Sequence, residues 1–242
     1  MLDCHSHILP NMDDGCKSIQ EAMSILQKLK REGVEVIVAT PHFYPNMEIK
    51  EFLERRAYTY QEIMKAVACE GKSIPCILKG AEVLLTEETE NLPELAELCI
   101  EGTRYILIEL PYTNWTEWVY TAIENIITYR GLTPIIAHIE RYEEIVSDMN
   151  KYNRLLKMEV LAQINSYSLR GRKKKFCLRL IKNHMVHVLG SDVHRRKRRI
   201  GVCKGIKIVE KKLGDEYAWN LRECAKRIVV NQRVEIIEYK PI

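Results

Sequence analysis

Residues 1–15 read MLDCHSHILPNMDDG and place two histidines close behind a short apolar start. Leu2-Asp3-Cys4 is predicted to begin a strand. Because side chains alternate across a strand, His5 and His7 are expected to point to the same side, where two neutral imidazoles can hold one divalent ion. The stretch therefore predicts a first strand that ends in a metal site.

The segment from Pro10 to Gly15 is predicted to be a turn. Such a turn could bring Asp13 or Asp14 back over the two imidazoles. An H-x-H pair also occurs by chance in surface loops, so a metal site requires further ligands from the rest of the chain.

Apolar, β-branched runs alternate with helix-like patterns along the rest of the chain. The further predicted strands lie within residues 34–40, 76–85, 105–110, 133–138, 159–165 and 186–192. The predicted helices cover residues 18–31, 49–70, 115–129, 152–157 and 173–183. Such alternation predicts an α/β fold with parallel strands and helices outside them, in either an open doubly wound sheet or a (β/α) barrel. No G-x-G-x-x-G, P-loop or break in composition is present, so one domain over residues 1–242 without a nucleotide site is expected.

Composition sets the broad class of protein. The residues are 46% hydrophobic and 29% charged, an ordinary globular balance. No run of about 18 apolar residues suggests a membrane span, and the N-terminus lacks the pattern of a signal peptide, so a cytoplasmic protein is expected.

The eight cysteines form no C-x-x-C pair and are expected to be free thiols in or near the core. The formal net charge is +4, with basic runs at 170–175 (RGRKKK) and 195–199 (RRKRR) that are most simply solvated faces.

Metal-binding residue types stand at the carboxyl ends of six of the seven predicted strands, the edge where parallel α/β folds place reactive groups. They are His5 and His7, His42, Glu82, Glu109, His138, and Asp192 with His194; the remaining strand ends in Asn165. Buried imidazoles and carboxylates that converge without a cation would be costly, so divalent metal ions are predicted. Nitrogen and oxygen donors suit Mn²⁺, Fe²⁺ or Zn²⁺, and their number predicts two or three ions.

Several ions close together suit phosphate hydrolysis, because they activate water and neutralise the phosphate. Cationic side chains are then expected nearby to hold the remaining phosphate oxygens. Arg141 follows His138 by three residues, and Arg199 follows His194 by five. Both are candidates, since a guanidinium can grip two phosphate oxygens at once.

Six motifs occur in order between residues 3 and 200: H-S-H-I-L-P-x-x-D-D-G, A-T-P-H, G-A-E, I-L-I-E-L-P, A-H-x-E-R-Y and S-D-x-H. Together they resemble the PHP (polymerase and histidinol phosphatase) superfamily, and more narrowly its bacterial capsule and exopolysaccharide protein-tyrosine phosphatases. The resemblance implies a distorted, TIM-like (β/α)7 barrel with a trinuclear, often manganese-dependent centre that hydrolyses phosphotyrosine. The implied partner is the tyrosine-rich tail of a bacterial tyrosine autokinase that controls capsule polymer export.

The resemblance also implies a role for each site residue. One ion would be held by His5, His7, Glu82 and Asp192; a second by Glu82, Glu109 and His138; a third by His42 and His194, with Asp14 as ligand or proton donor. Arg141 and Arg199 would bind the phosphate, and Asp192 with a hydroxide held by the metals would carry the attack. No C-x5-R loop is present, so a phosphocysteine is not expected.

The chain departs from the family pattern in three places. Ile139 stands where Pro is typical, Asn11 replaces a usual Gly, and the basic run after S-D-x-H leaves the phosphate ligand open between Arg198 and Arg199. One alternative is another PHP phosphoesterase, either a histidinol-phosphate phosphatase or a phosphodiesterase or nuclease, although Glu109 and Arg141 favour the tyrosine-phosphatase branch. A different alternative is a non-enzymatic nucleic-acid-binding protein, against which the basic runs lack interleaved aromatic residues.

Overall fold

Strands and helices alternate along the chain in the computed structural model, which describes residues 1–144, 148–194 and 201–236. The strands are β1 (Leu2–Asp3), β2 (Val36–Ala39), β3 (His42–Phe43), β4 (Cys76–Lys79), β5 (Glu82–Leu84), β6 (Tyr105–Glu109), β7 (Thr133–Ile136), β8 (Leu161–Asn165) and β9 (Val188–Gly190). The α-helices are α1 (Ile19–Arg31), α2 (Ile49–Glu70), α3 (Glu117–Thr128), α4 (Met149–Leu156), α5 (Lys174–Lys182), α6 (Val202–Leu213) and α7 (Asp215–Val229). Short 3₁₀-helices lie at Thr89–Asn91, Leu95–Leu98, Ile139–Glu144 and Ser166–Leu169.

The strands are parallel and close into a barrel. One sheet has the order β1-β2-β4 and the other β3-β5-β6-β7-β8-β9. Thr40-Pro41 separates β2 from β3, and Gly80-Ala81 separates β4 from β5, so each pair forms one interrupted barrel strand. A parallel bridge between Ser6 and Val193 joins the end of β1 to the end of β9. Seven barrel strands therefore form the ring, and the predicted distorted (β/α)7 barrel is confirmed.

Alternation along each strand divides the core into two layers. On β6, Ile106 and Ile108 belong to the large apolar cluster between the strands and the helices. Tyr105 and Leu107 belong to a smaller cluster that fills the barrel interior. Glu109 is the next residue on the same face as Leu107, because side chains repeat every second residue. The interior therefore turns from apolar to ionisable at the carboxyl ends of the strands.

Most predicted elements are present, with shifted boundaries. Helix α1 begins after Ser18, whose hydroxyl accepts the N–H of Glu21 at 3.2 Å and so caps the helix. The single strand predicted within residues 76–85 is two strands, β4 and β5. No strand or helix is predicted from the sequence after residue 192, whereas the structure has α6 and α7 there. Both helices lie against β9 and complete the outer layer beside the end of the barrel that β1 closes.

The expectation that the cysteines lie in or near the core is met only in part. All eight cysteines are free, and Cys4, Cys16, Cys99 and Cys177 are buried as expected, but Cys69 and Cys76 are exposed. The exposed pair lies at the end of α2 and the start of β4, away from the apolar layers. Across the described ranges, the structure has no helix that is both long and apolar enough to span a membrane.

Candidate metal centre and active site

The barrel mouth brings the nine predicted ligand residues into one cluster. His42 and Glu82 lie directly after the breaks in the two interrupted barrel strands, the turn after β1 supplies Asp14, and the other residues end or follow a strand. The interior members are almost completely buried: His5, His7, Glu82, His138 and Asp192. Asp14 is the exception, with 72% of its side chain exposed at the outer edge of the cluster. The structure thus separates a dry inner group from a solvent-facing outer one.

The inner group is built around the carboxylate of Glu82. His5 Nε2 and His7 Nε2 lie 3.1 Å from each other, and each lies 3.1 Å from Glu82 Oε2. Asp192 Oδ1 completes the group, 3.8 Å from His5 Nε2 and 3.5 Å from His7 Nε2. His5 and His7 share one side of the extended segment after β1, as their spacing predicted.

A second group forms on the other oxygen of Glu82. His138 Nε2 lies 2.9 Å from Glu82 Oε1 and 3.4 Å from Glu109 Oε1. His42 Nδ1 also approaches this group, 3.2 Å from Glu82 Oε2 and 3.9 Å from Glu109 Oε2. Glu82 therefore faces both groups, and His42 contacts the second group in addition to the third one to which the family pattern assigns it.

The outer group contains Asp14, His42 and His194. Asp14 Oδ1 lies 3.2 Å from His194 Nε2 and 3.7 Å from His42 Nε2. The imidazole of His7 lies parallel to that of His194, with ring centroids 4.0 Å apart, and links the outer group to the inner one. Donor atoms of these residues lie within 4.8 Å of one another, a spacing that could hold a metal ion.

The donor set fits divalent metal ions. Within the described residues, buried Glu82 Oε2 and His42 Nδ1 make no hydrogen bond of normal geometry, although imidazole nitrogens lie 3.1–3.2 Å from this carboxylate oxygen. Around an ion with bonds of about 2.1 Å, neighbouring ligand atoms lie about 3.0–3.4 Å apart. The contacts of 3.1 Å among His5, His7 and Glu82 have this spacing.

Electrostatics keep the carboxylates ionised. Burial would raise the pKa of Glu82, but the charge of His5 and the hydrogen bonds of the imidazoles hold it well below its ordinary value. Asp192 likewise has a lowered pKa, because His5 and Arg141 outweigh burial. Burial would lower the pKa of His7, but its hydrogen bonds to Asp13 and Glu82 raise it to about 10. The carboxylates thus favour any positive charge at these imidazoles, whether it comes from a proton or a metal ion.

Two residues outside the predicted ligand set, half-buried Asp13 and buried Gln163, hold the imidazoles in place. Asp13 Oδ2 accepts hydrogen bonds from His7 Nδ1 at 2.6 Å and from the backbone N–H of His42 at 2.9 Å. Gln163 Oε1 accepts from His5 Nδ1 at 3.1 Å and from the backbone N–H of His138 at 2.7 Å. The predicted turn leaves Asp13 and Asp14 as alternative residues over the imidazoles. Nothing in the sequence pattern distinguishes Gln163, which lies inside β8, as a residue of the site.

Backbone strain and close packing also mark the site. His138 and Asp192 have φ angles of 32° and 49°, in the left-handed region that non-glycine residues rarely adopt. Hydrogen bonds hold both: Gln163 accepts the N–H of His138, and the carbonyl of His5 accepts the N–H of Asp192 at 2.9 Å. At Gly190 a Cβ would lie 2.6 Å from the Cβ of His5, so only glycine fits there.

Arg141 lies beside the cluster, as predicted. Its guanidinium pairs with Asp192 and donates to the hydroxyl of Tyr167 at 2.8 Å and that of Tyr112 at 3.3 Å. Asp192 also accepts from Asn165 Nδ2 at 3.0 Å. The other candidate phosphate ligands, at positions 198 and 199, lie outside the described residues.

Two exposed tyrosines stand at the mouth. The ring of Tyr44 stacks on His42 with centroids 5.7 Å apart, and that of Tyr112 stacks on His138 at 6.2 Å. Their exposed fractions are 38% and 46%, whereas Trp115, the next aromatic residue along the chain, is 1% exposed and packs in the core. Aromatic surface therefore borders the cluster on two sides.

The fold and this cluster are those of a barrel protein with several groups of residues at its carboxyl edge that could hold metal ions. Residues 1–230 match the family model "Capsular polysaccharide synthesis, CpsB/CapC", and the chain belongs to this family. The family indicated by the motifs is confirmed.

Relatives of known name agree in length and sequence. The tyrosine-protein phosphatase CpsB of Streptococcus pneumoniae is 32% identical, over 97% of this chain and 100% of the relative. The tyrosine-protein phosphatase YwqE of Bacillus subtilis (strain 168) is 30% identical, over 97% of this chain and 93% of the relative. A solved structure from work on YwqE and CpsB, described as metal-dependent tyrosine phosphatases, has a TM-score of 0.89 and 27% identity, covering 100% of this chain and 99% of its own.

Proposed function

We propose that this protein is a metal-dependent protein-tyrosine phosphatase. Its substrate would be phosphotyrosine on a bacterial tyrosine autokinase that regulates capsular or extracellular polysaccharide synthesis. The observation that carries the proposal is the convergence of nine nitrogen and oxygen donors beside a guanidinium at the barrel mouth. The names of the relatives support the same activity for this chain.

The cluster would hold two or three divalent ions, and we propose Mn²⁺, with Fe²⁺ or Zn²⁺ as alternatives. The proposed ligands are His5, His7, Asp14, His42, Glu82, Glu109, His138, Asp192 and His194. Glu82 would be shared between two ions, because its two oxygens face different groups of imidazoles. When bound, such ions lower the pKa of water and neutralise phosphate charge.

The residues of the chain divide the remaining work. Arg141 would bind phosphate oxygens, since the hydroxyls of Tyr112 and Tyr167 already orient its planar guanidinium. Asp192, held ionised beside it, would orient the attacking water. Asp14 is the exposed carboxyl of the cluster and would donate the proton to the leaving phenolate. Arg199 remains a proposed second phosphate ligand.

The aromatic residues of the mouth suit a phenolic substrate. Tyr44 and Tyr112 expose their rings beside the cluster, where they could contact the ring of a phosphotyrosine. A thiol nucleophile is not part of the proposal. Cys16 lies in the turn after His7, and burial raises its pKa to about 12, so it stays protonated.

We further propose that residues 1–242 form one domain and that the protein works in the cytoplasm. The family match over residues 1–230 supports the first statement. Eight free cysteines support the second, because a reducing compartment keeps thiols unpaired.

The test is hydrolysis of a phosphotyrosine peptide by the purified protein with Mn²⁺, and again after chelation. Turnover is expected with metal and none after chelation, while iodoacetamide should leave it largely intact. Glu82→Gln should bind metal weakly and be inactive, and Glu216→Gln on exposed α7 serves as the matched control. Faster turnover of histidinol phosphate or single-stranded DNA than of the peptide would contradict the substrate, and inactivation through a cysteine would contradict the mechanism.

A further inference from the structure

A dense group of cations lies next to the proposed active site and takes no part in it. Arg170, Arg172, Lys173, Lys174 and Lys175 occupy five of the six positions 170–175, and we refer to them as the cationic ridge. The ridge follows β8 and runs into the first residues of α5. Since helices of a βα barrel begin at the carboxyl ends of the strands, the ridge lies on the same end of the barrel as the metal cluster.

Short links connect the ridge to the site. The backbone N–H of Arg170 donates to the carbonyl of Tyr167 at 3.0 Å, and the hydroxyl of Tyr167 contacts Arg141. The ammonium of Lys173 donates to the carbonyl of Glu140, the residue before Arg141, at 3.0 Å. Three extended residues span at most about 10–11 Å, so Arg170 lies within a few residues' length of the phosphate-binding guanidinium.

The charge of the ridge is largely unneutralised. Lys173 lies 3.9 Å from Glu143. For Arg170, Arg172, Lys174 and Lys175, no acidic partner lies within salt-bridge distance among the described residues. These four side chains are exposed or half-buried.

The cationic ridge also destabilises α5, because its cations lie at the N-terminus of that helix. The first turn of α5 contains no acidic residue, as in α4 and α6, whereas α1, α2 and α3 each carry one there and α7 carries two. Cations at a helix N-terminus are unfavourable because the backbone dipole is positive at that end. Among the described residues, neither helix stability nor an internal ion pair therefore accounts for these four cations.

We propose that the cationic ridge binds acidic residues that flank the phosphotyrosine in the polypeptide substrate. The inference rests on the proposed function and extends it from a single phosphorylated residue to the sequence around it. A peptide bound with its phosphate at Arg141 would carry residues about three positions away over the ridge. Single-stranded nucleic acid fits less well, because no aromatic residue lies within 170–175 and the adjoining Phe176 is buried.

The test compares two fourfold variants. The ridge variant combines Arg170→Gln, Arg172→Gln, Lys174→Gln and Lys175→Gln and keeps Lys173, which holds the carbonyl of Glu140. The control variant removes the same charge from the middle and the far ends of α5 and α6. It combines Lys182→Gln, Lys207→Gln, Lys211→Gln and Lys212→Gln, all of which are exposed.

Three substrates separate docking from chemistry: a phosphotyrosine peptide with flanking Glu, the same peptide with flanking Gln, and phenyl phosphate. The ridge variant should lose about tenfold in kcat/KM on the Glu peptide, which corresponds to two or three exposed ion pairs. It should keep the wild-type values on the other two substrates, and the control variant should keep all three. High salt should remove the preference of the wild-type protein for the Glu peptide.

A binding measurement makes the inference independent of turnover. A fluorescent Glu-rich peptide without phosphate should bind the wild-type and control proteins and bind the ridge variant at least several-fold more weakly. Equal use of the Glu and Gln peptides by the wild-type protein, or equal binding by both variants, would overturn the inference and leave the phosphatase proposal standing. The inference would also be overturned if the ridge variant lost only its binding to single-stranded DNA and kept its binding to the Glu-rich peptide. Conversely, absent turnover of every tyrosine phosphate with ridge-dependent peptide binding would refute the proposed function and support the ridge as an acidic-polypeptide surface.

Discussion

Gln163 accepts hydrogen bonds that hold His5 and His138 in place, and its replacement tests how much these bonds contribute to stability and metal binding. Its side chain is fully buried inside β8. Its Oε1 accepts from His5 Nδ1 and from the backbone N–H of His138, and its Nε2 donates to Asn165 Oδ1 at 3.0 Å. Gln163→Met keeps the length and approximate shape of the side chain and removes all three hydrogen bonds.

The expected cost follows from the groups that lose their partners. Two buried donors, His5 Nδ1–H and the N–H of the strained His138, would be left unpaired, at about 1–3 kcal/mol each. The free energy of unfolding of the metal-free protein should therefore fall by about 2–6 kcal/mol. Because the bond at Nδ1 also directs Nε2 of His5 toward the cluster, Mn²⁺ affinity should fall by about 10- to 100-fold.

Urea unfolding in the presence of chelator measures the first quantity, and calorimetric titration with Mn²⁺ measures the second. Gln61→Leu on the exposed face of α2 is the matched control and should leave both unchanged. Substitutions at surface sites without special contacts usually change the free energy of unfolding by no more than about 0.5 kcal/mol. If Gln163→Met changes it by no more than this, the reasoning is refuted. Unchanged Mn²⁺ affinity would show that the amide does not orient the imidazole.

Further outcomes follow from other contacts. Arg141→Lys should lower kcat/KM on a phosphotyrosine peptide by about 10- to 100-fold, since an ammonium cannot reproduce the planar fork, with Mn²⁺ affinity unchanged; a loss below threefold would argue against phosphate binding. Tyr112→Leu should raise KM for phenyl phosphate relative to an alkyl phosphate by about 2- to 10-fold, whereas Tyr112→Phe should not, because it keeps the ring stacked on His138. Burial lowers the pKa of His187 to about 4, so the unfolded chain binds a proton between pH 6.5 and 4 that the folded protein excludes. Stability should therefore fall by about 3 kcal/mol as the pH drops through this window, and His187→Gln should flatten the slope in urea unfolding at several pH values.

Much of the architecture was predictable because its signals are local. The alternation of apolar runs with helical patterns defined the parallel α/β class, and the carboxyl end of each strand located the candidate ligands. Glu109 illustrates this, since it ends a strand in the sequence pattern and in the structure, whereas Glu82 follows the break between β4 and β5. The choice between an open sheet and a barrel had no local signal, because it depends on whether the two outermost strands meet.

The parts of the site that could not be predicted from the sequence are those that form when the first and last strands of the barrel meet. The bridge from Ser6 to Val193 joins segments from opposite ends of the chain. The bond from His5 to Gln163 likewise spans 158 residues, and the pair of Arg141 with Asp192 spans 51. Such neighbours cannot be recognised from residue type or spacing, because a buried amide inside a strand looks like any other polar residue until the strands around it are known.

The chemistry of this protein can be read from its residues: imidazoles and carboxylates follow successive strands, a guanidinium lies nearby, and the motifs indicate the family. Residue type and strand position are properties of short segments and can be recognised before the fold is known. The folded barrel is needed to show which donors meet, that Glu82 faces two groups at once, and that Asp13 and Gln163 hold the imidazoles. The reason is that closure of the barrel, rather than any local preference, brings residues far apart in the chain to within hydrogen-bonding distance.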